Sequence, residues 1–307
     1  MWSSYRLTVK NIFVGPNGLR AGWRALIFVA IVLAISSLVQ YVLGGTIQRQ
    51  MAAAGGVPGP RLAVLIEFFN AILPVFLATG VMALAERRSF WSYGLTDNAL
   101  VRRFGWGAFW GFVMLSGLVG VLVLTGHLAF DGTALTGFPA VRFAVEWAVL
   151  FAFVAVAEEM TFRGYLQQTL GRSIGFWPAA AILSVVFAAA HVGNSGERVL
   201  GIVQVATGGL VFCYSLYRTG SLWWAIGAHL GWDWAQSYFY GVPDSGIMVS
   251  RHFLVSHPLG AAYLSGGTVG PEGSIFVMLA ELGFALVIYV TLRSATPWSR
   301  AGKSQVD

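Results

Sequence analysis

The chain has 307 residues, of which 57% are hydrophobic and only 10% charged, and its mean hydropathy is +0.70. A soluble domain carries roughly a quarter charged residues, so a soluble enzyme or binding module is excluded and an all-α, polytopic integral membrane protein is expected. The net charge of +6 comes with no basic run interleaved with aromatics, which argues against nucleic-acid binding. The single cysteine, Cys213, excludes an intramolecular disulfide and a Cys-based metal cluster.

A spanning helix needs roughly 20 apolar residues. The first 24 residues are basic and mixed, and the apolar run after them is long enough to span rather than be removed as a signal. In chain order, the expected transmembrane helices cover 25–43, 62–84, 104–124, a segment beginning near 140, then 176–191, 199–216, 222–239 and 275–292. Pro178 falls in the first turn of the fifth, where proline is tolerated. The stretch ERRSFWSYGLTDNALVRR (86–103) reads as an amphipathic connector at the membrane interface. The longest loop, 240–273, reads as an extramembrane cap or a disordered stretch, and the polar tail after Arg293 as a frayed end. No internal repeat is evident. The chain is thus one membrane domain, 1–307, with a motif-bearing core at 140–240.

Loop charges set the expected orientation. Arg6, Lys10, Arg20, Arg24, Arg87, Arg88, Arg102, Arg103, Arg163, Arg172, Arg218, Arg293, Arg300 and Lys303 fall on one side, and Arg49, Arg61, Arg142, Arg198 and Arg251 on the other, fourteen against five. The positive-inside rule then predicts a multi-pass protein of the cell membrane with both termini in the cytoplasm.

Three clusters place ionisable groups at membrane depth, where each is costly and marks a functional hypothesis. In Glu158-Glu159-Met160-Thr161-Phe162-Arg163, Glu159 and Arg163 are i and i+4 on one helical face, acid before base. Glu158 points roughly 100° away. Glu159 is therefore expected to be anchored by Arg163 and Glu158 left to face something else, and a low-dielectric site makes a carboxylate a competent general base. Taken alone, an interfacial helix end with solvated acids explains this cluster equally well.

The second cluster, Phe187-Ala188-Ala189-Ala190-His191, has three alanines that let a neighbouring helix approach, with His191 beside the gap. A lone histidine at a helix end is more often an interfacial residue. In the third, His229-Leu230-Gly231-Trp232-Asp233, the His and Asp share a face. They suit mutual orientation, shared ligation or simple helix packing.

The ordered set EExxxR, FxxxH and HxxxD over about 140–240 resembles the CAAX protease and bacteriocin-processing (Abi) family of intramembrane endopeptidases, which includes the type II CAAX prenyl endopeptidases. The resemblance implies that Glu158 is general base on a water that His191 helps to hold. His229 and position 233 then stabilise the tetrahedral oxyanion, a contribution of a few kcal/mol per donor. Many members end the last motif in Asn; Asp233 acts indirectly, by keeping His229 protonated. Glu159 and Arg163 are supporting structure. The family label of metalloprotease adds Zn2+ as an option, with Glu158, His191 and His229 as its ligands. No HExxH is present, and metal-activated and glutamate-activated water both stay open, the latter preferred.

The resulting expectation is a peptidase whose partners are the bilayer and a membrane-associated or lipidated protein or peptide. Glu158, His191 and His229 should line one cavity, opening toward the cytoplasmic leaflet. The alternative is a transporter or channel with these groups as a proton relay, and a third reading is a silent scaffold for partner helices. Glu67, Glu146 and Glu281 read as packing, interfacial or access residues, and His127, His252 and His257 as solvated loop residues. Trp223, Trp224, Trp232 and Trp234 read as packing or interfacial anchors, some lining a substrate groove.

Overall fold

In a computed structural model, residues 12–15, 18–194, 196 and 199–292 are described. Arg6, Lys10, Arg198, Arg293, Arg300, Lys303 and the tail expected to fray lie outside the described residues. All eight apolar segments are helical. We label them α1 (Ala21–Ala53), α2 (Pro60–Ala85), α3 (Leu100–Leu124), α4 (Gly137–Ile174), α5 (Phe176–His191), α6 (Val199–Thr219), α7 (Trp223–Trp234) and α8 (Val277–Thr291). Five of them, α1 to α4 and α6, are long and apolar enough to cross a membrane; α5 and α8 are shorter apolar helices.

Three helices contain a π-helical stretch, a wider turn that recurs at functional sites because it re-aims side chains and releases backbone groups. In α2 it spans Phe68–Ile72, in α4 Met160–Leu166, and in the continuation of α7 Ala235–Phe239. Each begins within two residues of an acid: Glu67, Glu159 and Asp233.

The tightest helix pair is α3 against α7. A Cβ on Gly107 or Gly111 would stand 2.2 Å from the Trp224 or Ala228 carbonyl oxygen, and one on Gly227 or Gly231 2.1 Å from the Phe104 or Ala108 carbonyl oxygen. Two Gly-xxx-Gly faces therefore lie backbone to backbone, the close approach that small residues permit between membrane helices. This contact holds the helix that carries the third motif.

The two ends of the bundle are built differently. At one end the 86–103 connector packs one face onto the helices. Tyr93 is fully buried and its hydroxyl, with that of Tyr165, donates to Glu86, which also pairs with Arg24. Arg103 closes on Asp97 at 2.6 Å, and the Trp223 indole donates to the Leu95 carbonyl. The stretch has two faces: Tyr93 and Leu95 are buried, while Trp91 and Val101 are exposed.

At the other end, the 240–273 loop is an ordered cap. Its strand Leu254–Pro258 pairs antiparallel with Leu128–Thr133, and it adds a short helix, Ala262–Ser265. The Trp147 indole donates to the Ser250 carbonyl, and the Ser250 hydroxyl to the Pro58 carbonyl, tying the cap to α4 and to the chain entering α2. Glu146 takes both Arg61 and Arg142 on this same face, an interfacial role. His257 pairs with Asp131 on the exposed ribbon.

Candidate active site

A cavity of about 550 Å³ opens within the helices, a size ordinary for a ligand site. Glu158, His191, His229 and Asp233 all line it, from α4, α5 and α7. The two glutamates divide as their spacing predicts. Glu159 is completely buried and accepts from Arg163 Nη1 at 3.2 Å, whereas the Glu158 side chain is 30% exposed to the cavity. Arg163 is itself buried, its guanidinium 4.4 Å from the centre of the Phe187 ring. It is thus an internal ion-pair residue and drops out of the loop charges that set orientation.

His229 is the hub. Its Nδ1 lies 3.2 Å from Glu159 Oε1, while Nε2 faces Asp233 Oδ2 at 3.4 Å and Glu158 Oε2 at 3.7 Å. Glu159 therefore orients the imidazole as well as pairing with Arg163, a link the sequence hides because it joins residues 70 positions apart. A ring held at Nδ1 by a carboxylate has its other nitrogen fixed toward the cavity, the arrangement by which an outer partner sets tautomer and orientation.

His191 stands on another wall. Its Nδ1 is 2.8 Å from the Phe187 carbonyl oxygen, and the Phe187 ring packs against the imidazole. The peptide carbonyl takes Nδ1–H and leaves Nε2 as an acceptor. Among the described residues, no three of His, Cys, Asp and Glu are grouped so as to hold a metal ion. The zinc set of Glu158, His191 and His229 is therefore not assembled, and these residues do not fit that option.

The cavity reaches the capped end, where Pro58, Asn194, Asp244 and Glu272 line it, and none of its lining residues comes from the connector at the other end. Glu158 is not at a helix end, since α4 continues through its π stretch to Ile174.

Four further carboxylates line the cavity: Glu67, Asp244, Glu272 and Glu281. Glu67 and Glu281 read from sequence as packing or access residues; the structure turns both toward the site. Asp244 and Glu272 had no signal, because only the folded cap brings them into the cavity wall. Asp244 accepts from the Ser237 hydroxyl, and Glu272 from the Ser245 backbone N–H and hydroxyl. Burial pushes the Asp244 carboxyl well above the usual carboxylate range, and the charges of Asp233 and Glu272 add to the effect.

A membrane-embedded helical bundle with acid and imidazole groups around an internal cavity defines the class, a candidate intramembrane hydrolase. The family comparison narrows it: residues 140–235 match the family model of the type II CAAX prenyl endopeptidase Rce1-like proteins. No curated protein and no solved structure matches the chain.

Proposed function

We propose that the protein is an intramembrane endopeptidase that hydrolyses a peptide bond of a membrane-associated protein with water activated by Glu158. The observation that carries this reading is the asymmetry of the glutamate pair. One acid is sealed against Arg163, and its neighbour is open to a cavity shared with two imidazoles.

Glu158 takes a proton from the water as its oxygen attacks the scissile carbonyl, and then returns that proton to the departing amine. His191 holds the water through Nε2. A His229 ring protonated on both nitrogens donates from Nδ1 to Glu159 and presents Nε2–H to the oxyanion, with Asp233 balancing its charge. Among the described residues, eight arginines (20, 24, 87, 88, 102, 103, 172, 218) lie toward the connector end against four (49, 61, 142, 251) toward the cap. By the positive-inside rule, the capped end, whose residues line part of the cavity, faces away from the cytoplasm.

The test is cleavage of a membrane-tethered peptide library by purified protein in detergent, wild type beside Glu158→Ala, with metal content measured on the same sample. Cleavage lost in the variant, at metal well below one equivalent, is the expected result. Cleavage that survives the substitution overturns the role of Glu158, and solute movement in sealed vesicles without any cleavage overturns the peptidase.

A further inference from the structure

We propose that the cavity selects peptides carrying a lysine or arginine beside the scissile bond and rejects those that place a free carboxylate there. This deepens the peptidase reading and rests on it. The first observation is charge. Glu67, Glu158, Asp233, Asp244, Glu272 and Glu281 line one cavity, and among the described residues no lysine or arginine lines it. Glu281 is satisfied by the Thr207 hydroxyl at 2.8 and 2.9 Å, whereas Asp244, which accepts from the Ser237 hydroxyl, keeps its own proton. Hydroxyl donors satisfy lone pairs without neutralising charge, so the cavity keeps a negative field inside low-dielectric walls, where such fields are least screened.

The second observation is independent of charge. Gln204 lines the same cavity, is 5% exposed, and spends its Nε2 on the Ser274 carbonyl at 3.1 Å. Its Oε1 has no hydrogen-bond partner among the described residues. A buried amide oxygen left without a donor is costly, and a ligand N–H relieves it. Gln204 belongs to the Glu281 wall, since the Thr207 hydroxyl that donates to Glu281 also lies 3.0 Å from the Gln204 carbonyl oxygen. Acids and an orphan acceptor on one wall call for a group with several donors and no acceptor, which describes an ammonium or a guanidinium.

A bare metal ion is the other cation that such a cavity invites. The carboxylates are spread around the walls, and no three of them form a group able to hold one. A long side chain suits the spacing better. Phe151, Phe212, Trp232 and Phe284 supply apolar lining for its methylene stem, leaving the charged tip to the acids.

The experiment uses the full-length protein in detergent, with Glu158→Gln as a host that binds without turnover. Three fluorescent peptides share one apolar anchor and carry lysine, norleucine or glutamate beside the test bond. Anisotropy is expected to show the lysine peptide binding at least about tenfold more tightly than the norleucine one, and the glutamate peptide more weakly than either. Adding Glu281→Gln or Glu67→Gln, on separate helices, should lower the lysine-to-norleucine ratio several-fold, and a thermal melt in detergent identifies any variant that fails to fold. Equal binding of the three peptides, a preference for glutamate, or a lysine preference untouched in both folded variants overturns the inference. Cleavage by wild type is scored separately. Charge-selective binding without cleavage sinks the peptidase and leaves the subsite standing, whereas cleavage blind to charge does the reverse.

Discussion

Glu86 at the connector end and Glu158 in the cavity are both glutamates beside apolar helices, yet their surroundings differ in kind. Glu86 has two tyrosine hydroxyls and the Arg24 guanidinium on its oxygens. Asp97 on the same end is held by Arg103 at 2.6 Å. Glu158 has only the edge of His229 at 3.7 Å and faces open volume shared with other acids. A buried acid that is fully partnered fixes structure, whereas one left under-partnered holds its capacity for a proton or a ligand in reserve. Adjacent to Glu158, Glu159 shows the two uses meeting: it is sealed like Glu86, and through His229 it still orients the site.

The contrast can be broken by mutation. The largest effect on activity is expected at the open acid. Glu158→Gln should lower cleavage by about 10²–10⁴-fold, the range for loss of a general base, with little change in the melting temperature. On the sealed pair the signs reverse. Arg163→Met leaves the buried Glu159 with the His229 ring alone and should cost about 3 kcal/mol, the low end for breaking a buried pair, read by thermal melt in detergent. Adding Glu159→Gln should recover part of that loss, and full additivity of the two changes would refute the pairing.

A backbone test sharpens the same comparison. Gly227→Leu forces a side chain into the Phe104 carbonyl and should cost about 3 kcal/mol or more through overpacking. Gly117→Leu, which meets nothing within 4 Å, should leave the melt within about 0.5 kcal/mol of wild type. Equal effects would mean that the α3–α7 contact does not hold α7 in place.

The smallest effect is expected at the cap. Because the folded state raises the Asp244 carboxyl, the folded chain holds a proton that the unfolded chain releases above about pH 4. Stability therefore falls as pH climbs past that range. Asp244→Asn should stabilise the protein at neutral pH and make no difference well below pH 4. A gain independent of pH would point to packing instead.

Much of this was legible along the chain. Eight apolar runs became eight helices, since each run must satisfy its backbone within itself in lipid, and i, i+4 spacing alone paired Glu159 with Arg163 and His229 with Asp233. Boundaries were less legible. Glu158 read as a helix end and proved to lie within a 38-residue helix, because a π stretch with its charge buried looks locally like a terminus. In the 86–103 connector the bond from Tyr165 to Glu86 was likewise hidden, because it joins residues 79 positions apart.

The sequence by itself determined the class, the helices and the inventory of ionisable groups, because these follow from local hydropathy and from spacing along a single helix. Only the tertiary structure decided that Glu159 reaches His229 and that the cap brings Asp244 and Glu272 into the cavity wall. The physical reason is range: hydropathy and helical periodicity act over a few turns, whereas the field inside the cavity sums charges from four helices and a loop that only folding brings together.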